Sequence, residues 1–258
     1  GGFNMTKGGG KKHLKRYVVS KHIPIHKKAF TYTVKPYPGP HAAHDCIPVT
    51  ILLRDMFRFA RNMSEVKKIL FERNVVVDGR VRTNRKYPLG FMDVISFPKI
   101  KENYRMIYLA KKGLRVIPIT EKETSVKLCQ IKDKTTIKNG LTQLNLHDGR
   151  NILLPSEDAT SSKYSTHDTI KISIPDQEIL ERYELKIGNY GFVTSGRWMG
   201  RHGTIEEIST HGRSPSKTVT LKTSDGEELV TLFRYIFVIG NDSPSITIED
   251  KKKVKIDE

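Results

Sequence analysis

Val75-Val76-Val77-Asp78-Gly79-Arg80-Val81-Arg82 lies about a third of the way along a chain of 258 residues. Three β-branched residues run into Asp-Gly, a strong two-residue hairpin signal, and the strand that leaves the turn carries arginines. Strand alternation puts Arg80 and Arg82 on one face and Val81 on the other. Arg85 and Lys86 extend the basic run before Tyr87-Pro88-Leu89-Gly90 turns the chain, and residues 91–97 read as a further strand. A hairpin that displays guanidinium groups on a short, stiff support is suited to binding phosphates.

Upstream, residues 48–73 have helical spacing. Pro48 can open a first helix, and Val49, Leu52, Leu53, Met56 and Ala60 recur as a buried stripe. Arg54, Arg58 and Arg61 fall on the opposite face. Ser64 is the expected N-cap of a second helix, with Glu65 in its first turn. Val66, Ile69 and Leu70 give that helix an apolar side, and Lys67 and Lys68 point away from it. Downstream of residue 105 the pattern is β almost throughout. Turn signals stand at Asn139-Gly140, Asp148-Gly149 and Asp225-Gly226, and strands are expected at 115–120, 125–131, 141–146, 151–154, 169–174, 218–222 and 228–233. Short strands at this spacing predict small barrels or curled sheets.

The charge is graded. The chain holds 45 Lys and Arg against 28 Asp and Glu, a net +17. Residues 1–45 contain 9 basic and 1 acidic residue, whereas residues 181–258 contain 12 of each. The basic end is expected to meet a polyanion and the neutral end to serve as scaffold. No uncharged run approaches the roughly 20 residues of a membrane-spanning helix, the basic residues do not form one side of an amphipathic helix, and no secretory signal is seen. Two cysteines are too few for a disulfide framework. A soluble intracellular protein that binds nucleic acid is expected, without a membrane partner or small-molecule substrate.

Residues 1–45 read as an extended arm. Pro36-Tyr37-Pro38-Gly39-Pro40 cannot be helical, and Lys11, Lys12, Lys15, Arg16, Lys21, Lys27 and Lys28 are spread along it with His13, His22 and His26 as further RNA contacts. The arm is expected to have little core of its own and to order on a partner.

Residues 188–205 hold a glycine cluster without the Gly-Lys-Ser/Thr ending of a phosphate loop and without a following helix pattern. They read as two strands joined by a loop with Arg197, Trp198, Arg201 and His202 at its tip. The ring beside guanidinium groups can stack on a base, or Trp198 can plug a barrel end. His41, His44, Asp45 and Cys46 offer four potential metal ligands, but no distant second pair accompanies them. His147-Asp148-Gly149-Arg150 is explained by its turn. No catalytic set can be assembled, so no metal, cofactor or reaction is expected.

Taken together, these stretches resemble the small-subunit ribosomal protein family S-four-e, archaeal and eukaryotic, over nearly the whole chain. The resemblance rests on residues 13–16, 38–41, 53–55, 77–82, 90–95, 104–105, 144–151 and 237–240 in this order and spacing. It implies an α+β chain: a basic extended N-terminal arm (1–45), a small α/β S-four-type RNA-binding domain (46–104), a predominantly β central domain (105–181), a KOW-containing SH3-like small barrel (182–240) and a C-terminal tail (241–258) that is expected to fray. Gly196, Gly200 and Gly203 would lie in the KOW loop. It also implies a cytoplasmic structural ribosomal protein whose partners are small-subunit ribosomal RNA and neighbouring ribosomal proteins. An RNA-modifying enzyme is the first rival, but it would need a catalytic Gly-Arg-Leu-Asp motif in a separate domain. A KOW-type transcription factor is the second.

Overall fold

A computed structural model describes residues 13–137, 140–154, 163–210 and 217–248. Three five-stranded antiparallel sheets carry the chain. In the first, the order is Arg80–Val81, Val76–Val77, Val94–Phe97, Glu102–Leu109, Gly113–Pro118. In the second it is Asn151–Leu154, Thr142–Leu146, Val126–Thr136, Thr169–Ser173, Ile179–Tyr183. In the third it is Glu228–Leu232, Lys217–Lys222, His202–Thr210, Tyr190–Val193, Ile236–Gly240. With few helices beside them, the sheets make the expected α+β chain. The two end strands of the third sheet are not hydrogen-bonded to each other, so it is a partly open barrel.

The opening hairpin forms as its sequence demands. Val77 pairs with Arg80, and Asp78 and Gly79 both take positive φ, 49° and 73°, the conformation a two-residue turn needs to follow strand twist. The sheet it begins does not stop at residue 104. Glu102–Leu109 spans the expected 104/105 boundary and the sheet ends only at Pro118, because Tyr104, Met106 and Tyr108 continue one buried face. The strand expected from residue 91 starts at Val94, since Met92 at φ 68° turns the chain first.

The first expected helix is short. Val49–Ile51 is α-helical and Leu52–Met56 widens into a π turn, with Phe57 N–H donating to the Leu52 carbonyl at 3.0 Å. Arg58 then adopts φ 57° and the helix ends. Aromatic packing takes over: Phe57 stacks on Phe59 at 5.0 Å and meets Phe97 edge-on at 5.4 Å. The apolar stripe is still buried, but Arg54, Arg58 and Arg61 do not share a helical face. The next helix, Met63–Phe71, is capped by Asn62 rather than Ser64. The Asn62 side-chain oxygen accepts from Glu65 N–H at 3.0 Å, and the Glu65 carboxylate accepts from Arg61 N–H at 2.7 Å, a reciprocal cap.

Two hydrophobic cores form. One runs from Val19 and Ile23 of the arm through the first sheet to Phe192, Val193 and Phe237 of the third, and on to Ile246 and Ile248. The other belongs to the second sheet and contains Cys129, Ile131, Leu144 and Ile170. The described residues near both ends therefore depart from expectation. The arm is not an unsupported strap: Leu14–Lys15 pairs with Tyr32–Thr33, and His22 C=O accepts from Leu114 N–H at 2.8 Å. Residues 241–248 do not fray either, because Ile246 and Ile248 enter the core on alternate positions while Thr247 Oγ1 donates to Glu123 at 2.6 Å. Lys251-Lys252-Lys253 lies outside the described residues.

The arm docks where Gly113 has no side chain. A Cβ there would fall 2.2 Å from the His22 carbonyl oxygen, on a residue at φ +74°. Gly113→Ala should therefore cost about 1–3 kcal/mol and loosen the arm, so that trypsin cuts after Lys21 and Lys28 sooner than in the wild-type protein. Unchanged cleavage would mean that the arm docks without this approach.

Candidate nucleic-acid interface

At the centre of the molecule Lys127 is fully buried in the strand Val126–Thr136. Its ammonium meets Asp93 at 2.6 Å, Asp78 at 2.7 Å and Asp148 at 3.1 Å. An ammonium has three N–H donors in a protein side chain, and here each faces a carboxylate. Arg150 adds a guanidinium, 2.7 Å from Asp78 and 3.1 Å from Asp148, and His41 Nε2 lies 2.9 Å from Asp93. The other lone pairs are used by backbone N–H groups: Val94 on Asp78, Gly90 on Asp93 and Arg150 on Asp148.

The electrostatics follow from this arrangement. Burial would raise the Asp93 carboxyl, but His41 and Lys127 outweigh it and hold it far below the usual range. Burial acts in the same direction on Asp148, and Lys127 and Arg150 bring it down to about 2. Burial would strip the proton from Lys127, yet its three aspartates raise it well above the ordinary lysine value. Burial, with Lys127 close by, pushes the His147 imidazole down to about 4. That ring is held neutral by geometry as well: Nδ1 accepts from Gln130 N–H at 3.2 Å and Nε2 faces the Phe91 carbonyl at 3.2 Å.

Cys129, His147 and Asp148 bring three ligand-type atoms within 4.8 Å, but each is committed. The thiol is kept protonated chiefly by burial and lies 3.5 Å from Asp148, both His147 nitrogens are engaged, and Asp148 already holds two cations. Of the earlier ligand candidates, His41 is bound to Asp93 and Cys46 is buried in apolar surroundings.

The cations divide into internal and surface groups. Arg16, expected to touch RNA, is buried. Its Nη1 donates to His26 C=O at 2.8 Å and its Nε to Tyr32 C=O at 3.2 Å, so it laces the arm together. Lys27 donates to the Val19 carbonyl, and Arg54 forms a two-pronged pair with Asp55 at 2.8 Å. Lys15, Lys21, Lys28, Arg58, Arg61, Lys67, Lys68 and Arg80 are exposed. Lys11 and Lys12 lie outside the described residues.

Several of these side chains converge. A groove of about 500 Å³ between the arm, the turn at Arg54 and residues 85–86 is lined by His13, Phe30, Tyr32, Arg54, Arg85 and Lys86 among others. A second of about 540 Å³ is lined by Lys67, Lys68, Phe71, Thr83, Asn84 and Arg85. Arg85 belongs to both, so they form one basic strip. Phe30 is 73% and Phe71 86% exposed, unusual for phenylalanine unless the ring has a partner. Lys86 sits over the Tyr37 ring at 4.8 Å. Beyond the strip, Arg80 and Arg82 line a recess with Arg150, and the Arg82 guanidinium lies over Tyr87 at 4.3 Å with its Nε buried and unpartnered.

The loop of the third sheet lies apart. Arg197 is exposed and covers the Trp198 ring at 4.9 Å, but that ring is half-buried against the main core. Arg201 pairs with Glu227 at 2.7 Å. None of the three line the grooves just described. The sequence places Phe30, Tyr32 and Tyr37 among the arm's charges, but local reading did not join the arm with Phe71 into one strip, and it did not anticipate the buried cluster of Lys127, Asp93 and Arg150. Phe71, following Lys67 and Lys68 at helical spacing, was the available signal.

Small antiparallel sheets and a basic strip edged with aromatic rings define a modular RNA-binding protein. The ribosomal family S4e matches residues 100–179, and the RS4NT (NUC023) domain matches residues 8–44. Small ribosomal subunit protein eS4 of Methanothermobacter thermautotrophicus is 44% identical over 242 residues, covering 94% of this chain and 98% of its own. That of Methanocaldococcus jannaschii is 41% identical, covering 95% and 100%. The crystal structure of 30S ribosomal protein S4e from Thermoplasma acidophilum is similar with a TM-score of 0.63 at 26% identity, over 76% of this chain and 96% of that one. The chain belongs to the S4e family of ribosomal proteins.

Two outcomes test the buried cluster. Lys127→Met leaves three carboxylates without their shared cation and should cost about 3–5 kcal/mol in a denaturant titration. Stability should also fall in two steps on acidification. His147 is depressed from 6.5 to about 4, so its contribution is complete above 6.5 and is lost as pH falls towards 4. Asp148 is depressed from 3.8 to about 2, so its contribution holds above 3.8 and is lost on the way down to 2, and that of Asp93, which is held lower still, is lost over a range that extends further into acid. His147→Gln should remove the upper step and leave the lower one.

Proposed function

We propose that the chain is a structural constituent of the small ribosomal subunit that holds folded ribosomal RNA along the strip formed by residues 13–45, the helix Met63–Phe71 and residues 83–86, and on the adjoining hairpin at Asp78-Gly79, and that it has no reaction of its own. One observation carries this reading. The acidic side chains Asp78, Asp93 and Asp148 are drawn inside, while exposed lysines, arginines and aromatic rings remain outside. Phosphates set affinity through counterion release, and unstacked bases add stacking on rings such as Phe30 and Phe71.

Lys67, Lys68, Arg85 and Lys86 are the phosphate contacts of the strip, with Lys15, Lys21 and Lys28 on the arm and Arg80 and Arg82 at the hairpin. Arg58 and Arg61 flank it, and Arg197 with Arg201 makes a separate contact. Family membership supports the cytoplasmic ribosome as the setting and neighbouring ribosomal proteins as further partners. Among the described residues no helix is long and apolar enough to cross a membrane.

Replacing Arg80 and Arg82 together with alanine should weaken binding to small-subunit ribosomal RNA about tenfold and reduce the salt slope by about two, with thermal unfolding little changed. Equal affinity and equal slope would remove the hairpin from the interface. In a sucrose gradient of native lysate the chain should stay in the small-subunit peak through a high-salt wash, and its loss at modest salt would contradict an integral role.

A further inference from the structure

The hairpin at Asp78-Gly79, the arm and two turns of the second sheet enclose a recess of about 330 Å³. Arg80 and Arg82 line it from the hairpin, Arg150 from the turn before Asn151–Leu154, and Gln177 from the turn between Thr169–Ser173 and Ile179–Tyr183. The segments behind it are in close contact. A Cβ on Gly79 would fall 2.9 Å from Ile174, and one on Gly149 would fall 3.5 Å from the Pro40 carbonyl.

The three arginines differ in what they still offer. Arg150 spends Nε on Asp148 and Nη2 on Asp78. Those two acids also line the recess, but both are buried and each already holds Lys127. Among the described residues no carboxylate pairs with Arg80 or Arg82, and the Gln177 side chain forms no hydrogen bond. The acids beside Gln177 in sequence, Asp176 and Glu178, do not line the recess. Arg82 is also fixed in place. Its guanidinium lies over the Tyr87 ring at 4.3 Å, which leaves the donors at its edge, and its Nε is buried without an acceptor. Buried donors of a charged group are normally answered.

An oxyanion would answer them. A guanidinium presents its N–H groups as a fork that matches two phosphate oxygens, and one already held by stacking loses little freedom on binding. The source follows from position. Arg82 is three residues from Arg85, which lines both grooves of the basic strip, a span of at most roughly 10 Å. An RNA strand on the strip reaches the recess without leaving the surface.

We propose that this recess seats one backbone phosphate of the ribosomal RNA, bound by Arg80, Arg82 and Gln177, with Arg150 held beside it by Asp78 and Asp148. The proposal rests on the RNA-scaffold reading above and extends the contact from the hairpin onto the second sheet, so that one phosphate bridges the two. Gln177 stands far along the chain from the hairpin, in a stretch without a basic motif, so the sequence holds no local sign of it.

The test uses the full chain with in vitro transcribed small-subunit ribosomal RNA. Gln177→Glu keeps the size of the side chain and adds a negative charge to the wall, and it should weaken RNA binding about tenfold. Gln177→Lys should tighten binding, whereas a merely structural disturbance would weaken it in both variants. Ethylation of the RNA should mark one phosphate whose modification impairs binding to the wild-type chain and has little further effect on Gln177→Glu. If Gln177→Glu melts early, Gln177→Lys and the wild-type ethylation pattern compared with that of Arg82→Gln decide the matter. Equal affinity in both Gln177 variants, with an unchanged ethylation pattern, overturns the site while leaving the RNA-scaffold reading intact. No binding of RNA by the wild-type chain overturns that reading and the site with it. Saturable thermal stabilisation by inorganic phosphate that Gln177→Glu abolishes, with RNA affinity equal in all variants, assigns the recess to a free oxyanion and overturns the RNA source.

Discussion

Taking an ammonium out of water costs several kcal/mol unless every donor is answered and the opposing charge is held at contact distance. Lys127 meets that condition only when Asp78, Asp93 and Asp148 arrive together. These come from the tip of the first hairpin, from the turn before Val94–Phe97, and from the turn between two central strands. His41 brings the arm to the same point through Asp93. Three separate turns thus share one requirement that no two of them satisfy, and the arm is tied to the same point. A greasy replacement of similar volume could make a core, but it would not demand this particular meeting of turns.

The same cluster shapes the outside of the molecule. It takes inside three of the fourteen acidic side chains that residues 1–172 carry. Arg16, Arg105, Lys127 and Arg150 are spent on internal pairing, with Arg105 gripping Glu123 at 2.7 Å and the Val126 carbonyl at 3.1 Å. The cations left on arm and hairpin stand among aromatic rings, whereas Lys67 and Lys68 share their helix with the exposed Glu65 and its cap Glu72.

Much of the fold was legible. Asp-Gly turns, alternating strands and the basic hairpin appear close to where the residues place them, because each depends on neighbours in sequence. The misses share a different cause. Asp78 and Asp148 were sufficiently explained as turn formers, and nothing nearby announced a second role for their carboxylates. Lys127 stands beside Leu128 and Cys129 in a strand covered on both faces, where a period of two says nothing about which side chain is buried. The helical stripe from Val49 was correct in its burial, yet Phe57 and Phe59 found better packing outside a helix. The arm was judged by its prolines and charge, while Val19, Ile23 and a gap at Gly113 settle where it lies. Contacts that join distant segments leave no local periodicity to read.

The distribution of the two cores has a consequence for how the chain is made. The second sheet keeps its own core, and it occupies the stretch between the two halves of the other. The larger core is completed by Phe192, Phe237, Ile246 and Ile248, and its ties reach from Gln130 to Ile236 and from Glu123 to Thr247, 106 and 124 residues apart. During synthesis, the central sheet can close as soon as Tyr183 has emerged. The N-terminal part must wait, with Phe91 and Tyr108 uncovered, until Phe192, Phe237, Ile246 and Ile248 have emerged. Folding of the arm and first sheet therefore follows synthesis of the third sheet rather than the emergence of their own residues.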